Sequence, residues 1–342
     1  MKALLKFSIY CVFSFLLLVG SSCDDKGTEW VRNTNTGAAL GTSYSIIYLT
    51  KDSLDISKSI DSVFRVVNNS MSTYIPTSDI SRINSGDTTV IVDGMFREVL
   101  RLSHEVFEKT NGYFDPTVGI LVNAWGFGPG RESTMDSAEV KRLRHFVGLD
   151  KVQLTQDNRI VKESPEIQID FNAIAKGYAI DRLAALLDDL EIENYLVEVG
   201  GEIVAKGENR IKEKKWVVGV DDPQVVDGRQ LKITLNLKDK ALASSGNYRK
   251  FRIDPDTGLK YVHTIDPKTG FTKNGNVLAA SVIGNNCAIA DAYATAFMAM
   301  DLEASIDLLE QQDDLEAYLI FLDEDGELQE YMTPGFSSLV VQ

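Results

Sequence analysis

The chain has 342 residues, 44% of them apolar and 25% charged, which is ordinary for a folded globular protein and long enough for one large domain or two smaller ones. Fifty acidic against 35 basic side chains leave a formal net charge of −15, which excludes a nucleic-acid-binding protein because that needs a basic footprint. The same excess requires that any phosphate ligand be received by local positive charge: a metal ion, a helix N-terminus or a few basic groups.

The first residues follow their own logic. Lys2 and Lys6 flank the start of a nearly uninterrupted apolar run, Phe7 to Val19, and Gly20, Ser21 and Ser22 lead into Cys23. The run is too short to cross a membrane and has the grammar of a secretory signal. Small residues ending in Cys are similar to a bacterial lipobox, with Gly20 standing where Leu is commonest; a plain signal peptide with an incidental Cys is the alternative. The expected organisation is a signal peptide over 1–22, a lipidated Cys23 with a flexible polar tether over 23–36, and one folded domain over 37–342. The mature chain is then exported and membrane-anchored, facing the periplasm. Cys11 leaves with the signal, so Cys287 is left as a buried thiol without a disulfide partner.

Tyr44, Ile46 and Tyr48 alternate and predict a strand over 43–49. Ile60, Val63, Phe64 and Val67 recur at helical spacing and predict a helix over 57–69. Met71 to Tyr74 follows it, and Ser78-Asp79 reads as a turn opening a capped helix; the Tyr74 ring could stack on a flat ligand. Phe96, Val99, Leu100 and Phe107 predict a helix over 95–110, stopped by Asn111-Gly112. Ile174, Ala175, Tyr178, Leu183 and Leu186 give an apolar face to a helix over 173–190. Strands are expected at 195–199, at 215–220 before Asp221-Asp222-Pro223, and at 231–237. A further strand over 260–265 runs into the turn Pro267 to Gly270, followed by a buried strand over 277–283 and an apolar helix over 290–300. Helices and strands mix without a βαβ rhythm, so the expected class is α+β with largely antiparallel sheets.

Several familiar chemistries are absent. His104, His145 and His263 are too scattered for a zinc site. There is no Gly-x-x-x-x-Gly-Lys-Ser/Thr loop and no Gly-x-Ser-x-Gly elbow, and Gly126 to Gly130 lacks dinucleotide spacing.

Three constellations carry chemistry. In Asp170 to Tyr178, a strand end passes into a helix start whose free N–H groups attract phosphate. Lys176 in the first turn opposes the helix dipole unless an anion joins it; the alternative is a solvated Lys with Asp170 as a helix-start acid. Asp291 and Thr295 stand four apart on a helix, so both oxygens leave one face, and a hard cation such as Mg²⁺ suits such donors. Alternatively Asp291 caps that helix and Thr295 bonds to a carbonyl one turn back. His263 precedes a turn and has the right chemistry for proton transfer near neutral pH, or is a half-buried strand His. Arg249, Lys250 and Arg252 offer positive charge upstream, or are ordinary surface residues.

Taken in order, these segments resemble the ApbE family, the FAD:protein FMN transferases. The resemblance runs from Leu40-Gly41-Thr42-Ser43-Tyr44 through Met71-Ser72-Thr73-Tyr74, Ile80 to Asn84, Gly112 to Gly119 and Asn123 to Gly128. It continues through Ala175-Lys176-Gly177-Tyr178, Glu198-Val199-Gly200-Gly201-Glu202, Ser244 to Arg249, His263 to Gly270 and Asp291 to Ala296. Leu40 replaces the usual Met, and Asn172 stands where the family usually has Gly. The resemblance implies that Leu40, Ser72, Thr73, Tyr74, Tyr113, Phe114, Asp115, Asp170, Lys176 and Ile265 contact FAD. It implies that Asp291, Thr295 and the carbonyl of Ala173 bind Mg²⁺ and that His263 is the general base. The implied fold is ApbE-like and T-fold-related. The implied reaction is Mg²⁺-dependent transfer of FMN from FAD to a Thr or Ser hydroxyl of an exported redox or electron-transfer protein, releasing AMP. An FAD pyrophosphatase, or a lipoprotein that holds FAD without chemistry, are the rival readings.

Overall fold

The computed structural model describes residues 30–130, 133–225, 230–247, 251–253, 260–273 and 275–341. Its strands are β1 (Val31–Ala39), β2 (Thr42–Thr50), β3 (Val152–Leu154), β4 (Ile160–Lys162), β5 (Tyr195–Val199), β6 (Glu202–Lys206), β7 (Trp216–Asp221), β8 (Leu231–Leu237), β9 (Lys240–Gly246), β10 (Phe251–Ile253), β11 (Lys260–Val262), β12 (Val277–Gly284), β13 (Glu316–Leu322) and β14 (Leu328–Met332). Its helices are α1 (Ser57–Met71), α2 (Asp79–Asn84), α3 (Gly94–Lys109), α4 (Gly119–Ala124), α5 (Ser137–Arg144), α6 (Ala175–Asp189), α7 (Cys287–Ala299), α8 (Leu302–Leu309) and α9 (Pro334–Ser337).

Eight strands form one sheet in the order β1-β2-β5-β6-β9-β12-β13-β14, and every neighbouring pair is antiparallel. The α+β, largely antiparallel architecture expected from the sequence is thus the one observed. Helices cover one face. The apolar stripes of α1 and α6 meet Ile46, Tyr195 and Val197 of the sheet, and α3 and α7 enclose Phe96, Phe171 and Phe297. The other face is covered by the β7–β8 hairpin and α9, around Trp216, Leu235, Tyr318 and Phe336. A satellite core under α4 and α5 holds Leu121, Trp125, Val140 and Ile265.

Three expectations are corrected. The flexible tether expected over 23–36 does not hold for 31–36, because Val31 to Thr36 belong to β1 and pair with Thr50 to Ser45 of β2. These residues show no apolar alternation because β1 is an edge strand, held by its backbone ladder and by Asn33, which bonds Thr50 Oγ1 at 2.6 Å and accepts from Leu54 N at 3.0 Å. The helix expected from Ala173 starts at Ala175, because Phe171 to Ile174 close a turn through bonds from Ile174 N and Ala175 N to Phe171 O. The helix expected from Ala290 starts at Cys287, with Asn286 as the N-cap accepting from Ile289 N at 2.9 Å. Residues 1–22, Cys23, Arg249, Lys250 and the side chain of Arg252 lie outside what the structure describes.

Candidate active site

The site is built where α6 and α7 touch. Each helix supplies a carboxylate to the other's amides. Asp181 of α6 accepts from Cys287 N and Ala288 N, both at 2.8 Å, and so caps α7 from outside. Asp291 of α7 accepts from Gly177 N at 3.0 Å in the first turn of α6. The residue before α6, Ile174, makes no side-chain cap, so Asp291 does part of that work. This approach is close enough that a Cβ on Gly177 would lie 2.4 Å from Cys287 O. Asp291 is therefore neither a cap of its own helix nor free, but a carboxylate 4% exposed between two helices. Burial pushes its carboxyl above the usual range, and Lys176 with the Gly177 N–H partly offsets that.

Lys176 is not a solvated surface lysine. Its Nζ lies 2.8 Å from Glu202 Oε1, with the lysine side chain 30% and the glutamate side chain 3% exposed. Burial alone would lower the lysine, but Glu202 and Asp291 outweigh it and hold the ammonium above its usual range. Glu202 sits at the start of β6, after the Gly200–Gly201 turn, and the sequence offered it only as part of a motif. Burial pushes its carboxyl up, to about 7, against the pull of Lys176. Its Oε2 is buried with no hydrogen-bond partner among the described residues.

Thr295, one turn after Asp291, faces β9, with Oγ1 3.3 Å from Ser245 Oγ. The end of β9 carries the site onward: Asn247 Oδ1 accepts from Thr264 Oγ1 at 2.8 Å. Thr264 neighbours His263, half-buried just past β11. Ile265, expected to contact FAD, packs its side chain into the satellite core. The strand expected over 260–265 stops at Val262, with Ile265 forming an isolated bridge to Thr272.

Two further groups of expected residues are drawn to the approach to α6. Asp170 Oδ1 accepts from Asn172 N at 2.7 Å, a local turn that is not the helix cap. Asn172 Nδ2 lies 3.3 Å from Thr73 Oγ1, which ties the Ser72–Tyr74 segment to this turn. Ser72 O accepts from Ser78 Oγ at 2.6 Å and Ser81 Oγ at 3.2 Å. Tyr74 is 57% exposed, leaving its ring available to stack. On the other side, Pro116 O accepts from Asp170 N at 2.6 Å, and Lys268 Nζ sits 4.0 Å over the Tyr113 ring. Phe114 is buried in the main core. Leu40 occupies the β1–β2 turn with φ 51, next to Gly41 with φ 76. That conformation favours Asn or Gly, so packing against both large clusters holds a strained leucine in place.

The oxygens expected to bind Mg²⁺, those of Asp291, Thr295 and the Ala173 carbonyl, are all hard, with one carboxylate among them. That set suits a Mg²⁺ ion completed by waters and substrate phosphates rather than a closed protein cage. No cluster of three or more His, Cys, Asp or Glu able to hold a metal occurs among the described residues. The partnerless Glu202 oxygen nearby is a buried acceptor left for an incoming donor.

Asp115 accepts from Thr117 N at 2.8 Å and Thr117 Oγ1 at 2.6 Å, yet burial pushes its carboxyl up to about 6. Burial likewise raises Asp181 to about 6. A carboxyl with a folded pKa above its unfolded one adds stability that is complete below the unfolded value and is lost as pH rises through the folded value. For Asp115 that window runs from 3.8 to about 6 and is worth at most about 3 kcal/mol. The melting temperature in EDTA should therefore fall between pH 4.5 and pH 7, and Asp115→Asn should flatten the fall. Equal slopes for the two proteins in calorimetry would reject this role for Asp115.

The ApbE family matches residues 40–319. The chain is 34% identical over 339 residues to the FAD:protein FMN transferase of Vibrio cholerae, covering 94% of this chain and 96% of that protein. It is 31% identical over 304 residues to that of Haemophilus influenzae, covering 85% and 87%. Among solved structures, the flavin transferase ApbE from Vibrio cholerae superposes with a TM-score of 0.80 at 32% identity, covering 91% of this chain and 100% of that one. The apo flavinyl transferase ApbE of Pseudomonas stutzeri superposes with a TM-score of 0.79 at 27% identity, over 91% and 97%. With most of its length matched by one family, and the helix junction at Lys176, Gly177 and Asp291 falling inside the match, the chain belongs to the ApbE family.

Proposed function

We propose that this chain transfers FMN from FAD to a Thr or Ser hydroxyl of an exported acceptor protein and releases AMP. The observation that carries the reading is the α6–α7 junction: the first turn of α6, with Lys176, bonded through Gly177 N to the buried acid that stands four residues from a hydroxyl on α7.

The start of α6 and Lys176 receive the FAD pyrophosphate. Tyr74 offers its exposed ring to the flavin, and Tyr113 and Asp170 line the approach. Asp291, Thr295 and the Ala173 carbonyl would hold Mg²⁺, which supplies neutralisation of the charge that builds on the phosphates as the anhydride breaks. His263 takes the proton of the acceptor hydroxyl. The oxygen so freed forms a bond to the FMN-side phosphorus, the phosphoanhydride bond breaks, and AMP leaves. A lipid on Cys23 would hold the domain at the membrane surface, where exported redox subunits are met.

The test is the intact mass of a candidate acceptor incubated with FAD, MgCl₂ and this chain. A gain of one FMN with AMP release supports transfer; free FMN and AMP with an unmodified acceptor supports FAD hydrolysis; no AMP at all supports a binding protein. His263→Ala should slow acceptor labelling by about 10²–10⁴-fold while FAD still binds. Labelling at the unaltered rate removes His263 from the chemistry.

A further inference from the structure

Lys176, Glu202 and Asp291 lie together at the α6–α7 junction, with the Asp181 carboxylate beside them bonded to Cys287 N and Ala288 N. Glu202 is 2% and Asp291 4% exposed, and Lys176 Nζ is fixed 2.8 Å from Glu202 Oε1. Ionised, Glu202 and Asp291 against the Lys176 ammonium leave these three side chains at −1, to which Asp181 adds its own negative charge. A half-bonded buried carboxylate is costly, since Glu202 Oε2 has no partner among the described residues. A lysine needing only a counterion could have used Asp291 alone, so the second acid has a further consequence for what binds.

We propose that Glu202 is a positioning residue that sets the charge of the metal and pyrophosphate site, so that a divalent cation is admitted although a lysine is held there. The inference rests on the Mg²⁺ reading given above. With Glu202 present, these three side chains pass from −1 to +1 when a divalent cation enters, and a pyrophosphate is then drawn in. Without its charge, Asp291 and Lys176 offset one another and the site holds one negative charge fewer with which to draw in the cation.

The charge ledger predicts opposite signs for two ligands, which a merely structural role would not. The full chain is titrated calorimetrically at pH 8 with MgCl₂ alone, and with ADP in EDTA as a probe carrying a pyrophosphate. Glu202→Gln should weaken Mg²⁺ binding on the order of tenfold and leave ADP binding unchanged or tighter. Lys176→Met should do the reverse, tightening Mg²⁺ and weakening ADP, and it keeps the inference testable if the Gln variant does not fold. A folded Glu202→Gln protein whose Mg²⁺ affinity stays within about twofold of wild type overturns the proposal. So does a parallel loss of both affinities with a lower melting temperature, or a Lys176→Met protein with unchanged or weaker Mg²⁺ binding. If the wild type itself takes up no Mg²⁺, the metal reading fails and this inference with it. Wild-type uptake with an unaffected Glu202→Gln variant sinks this inference alone.

Discussion

Asp291→Asn is expected to reduce Mg²⁺-dependent AMP release from FAD by about 10²–10³-fold, the scale of removing one preorganised electrostatic group, while the protein stays folded. The substitution separates the two tasks of this carboxylate. An Asn carbonyl still accepts from Gly177 N, so the bond that joins α7 to α6 is kept. What disappears is the negative charge, and with it the one anionic donor among Asp291, Thr295 and the Ala173 carbonyl. Because burial already disfavours the charged form, the neutral Asn should melt no lower than the wild type in EDTA. Asp291→Ala gives the contrast. It loses the activity too, but strands a buried N–H and should cost about 1–3 kcal/mol of stability. The readouts are AMP by chromatography and unfolding by denaturant. An Asn variant that released AMP at the wild-type rate would place the metal elsewhere and dismantle the proposed site.

Much of this arrangement can be read from residue order, and the part that cannot has a physical cause. Where one face of an element is buried and the other wet, the pattern is plain. Tyr44, Ile46 and Tyr48 locate β2, and Ile60, Phe64 and Val67 locate α1. The edge strand β1 escapes that logic because its Asn and Thr side chains carry no alternation and its stability lies in backbone bonds to β2. The start of α7 is blurred for the opposite reason: Cys287, Ala288 and Ala290 are apolar all round because the helix is buried on every side, so only the Asn286 cap marks the boundary. For the site, the spacing of Asp291 and Thr295 shows that they share a helix face, and the same spacing cannot tell a cap from a ligand. Against the cap stands Gly177, more than a hundred residues away in sequence, whose amide claims one carboxylate oxygen. Glu202 is less legible. Nothing in Gly200-Gly201-Glu202 reveals that the acid turns inward against Lys176, although a Glu opening a strand right after a tight glycine turn is a signal worth weighing. Ile265 shows the reverse case, a position in a binding motif whose side chain serves the satellite core.

Gly177→Ala should produce the largest loss of stability of any single-methyl change in the site. In an isolated helix this exchange is favourable by about 1 kcal/mol, because alanine restricts the unfolded chain and suits the helix. Here the added Cβ would stand 2.4 Å from Cys287 O, 2.7 Å from Cys287 C and 2.9 Å from Ala288 Cα. All three are backbone atoms of α7, so no rotamer change relieves the clash and the two helices must separate. Separation lengthens the bonds from Cys287 N and Ala288 N to Asp181 and the bond from Gly177 N to Asp291, all of them buried or half-buried. Overpacking and weakened bonds together should cost about 3 kcal/mol, which reverses the sign that helix propensity alone gives. Denaturant unfolding reads that sign directly, and Mg²⁺ binding measured on the same protein should weaken with it, since Asp291 is carried away from the start of α6. A Gly177→Ala protein as stable as the wild type would mean that α6 and α7 do not approach this closely, and the geometry that joins the first turn of α6 to Asp291 would have to be rebuilt.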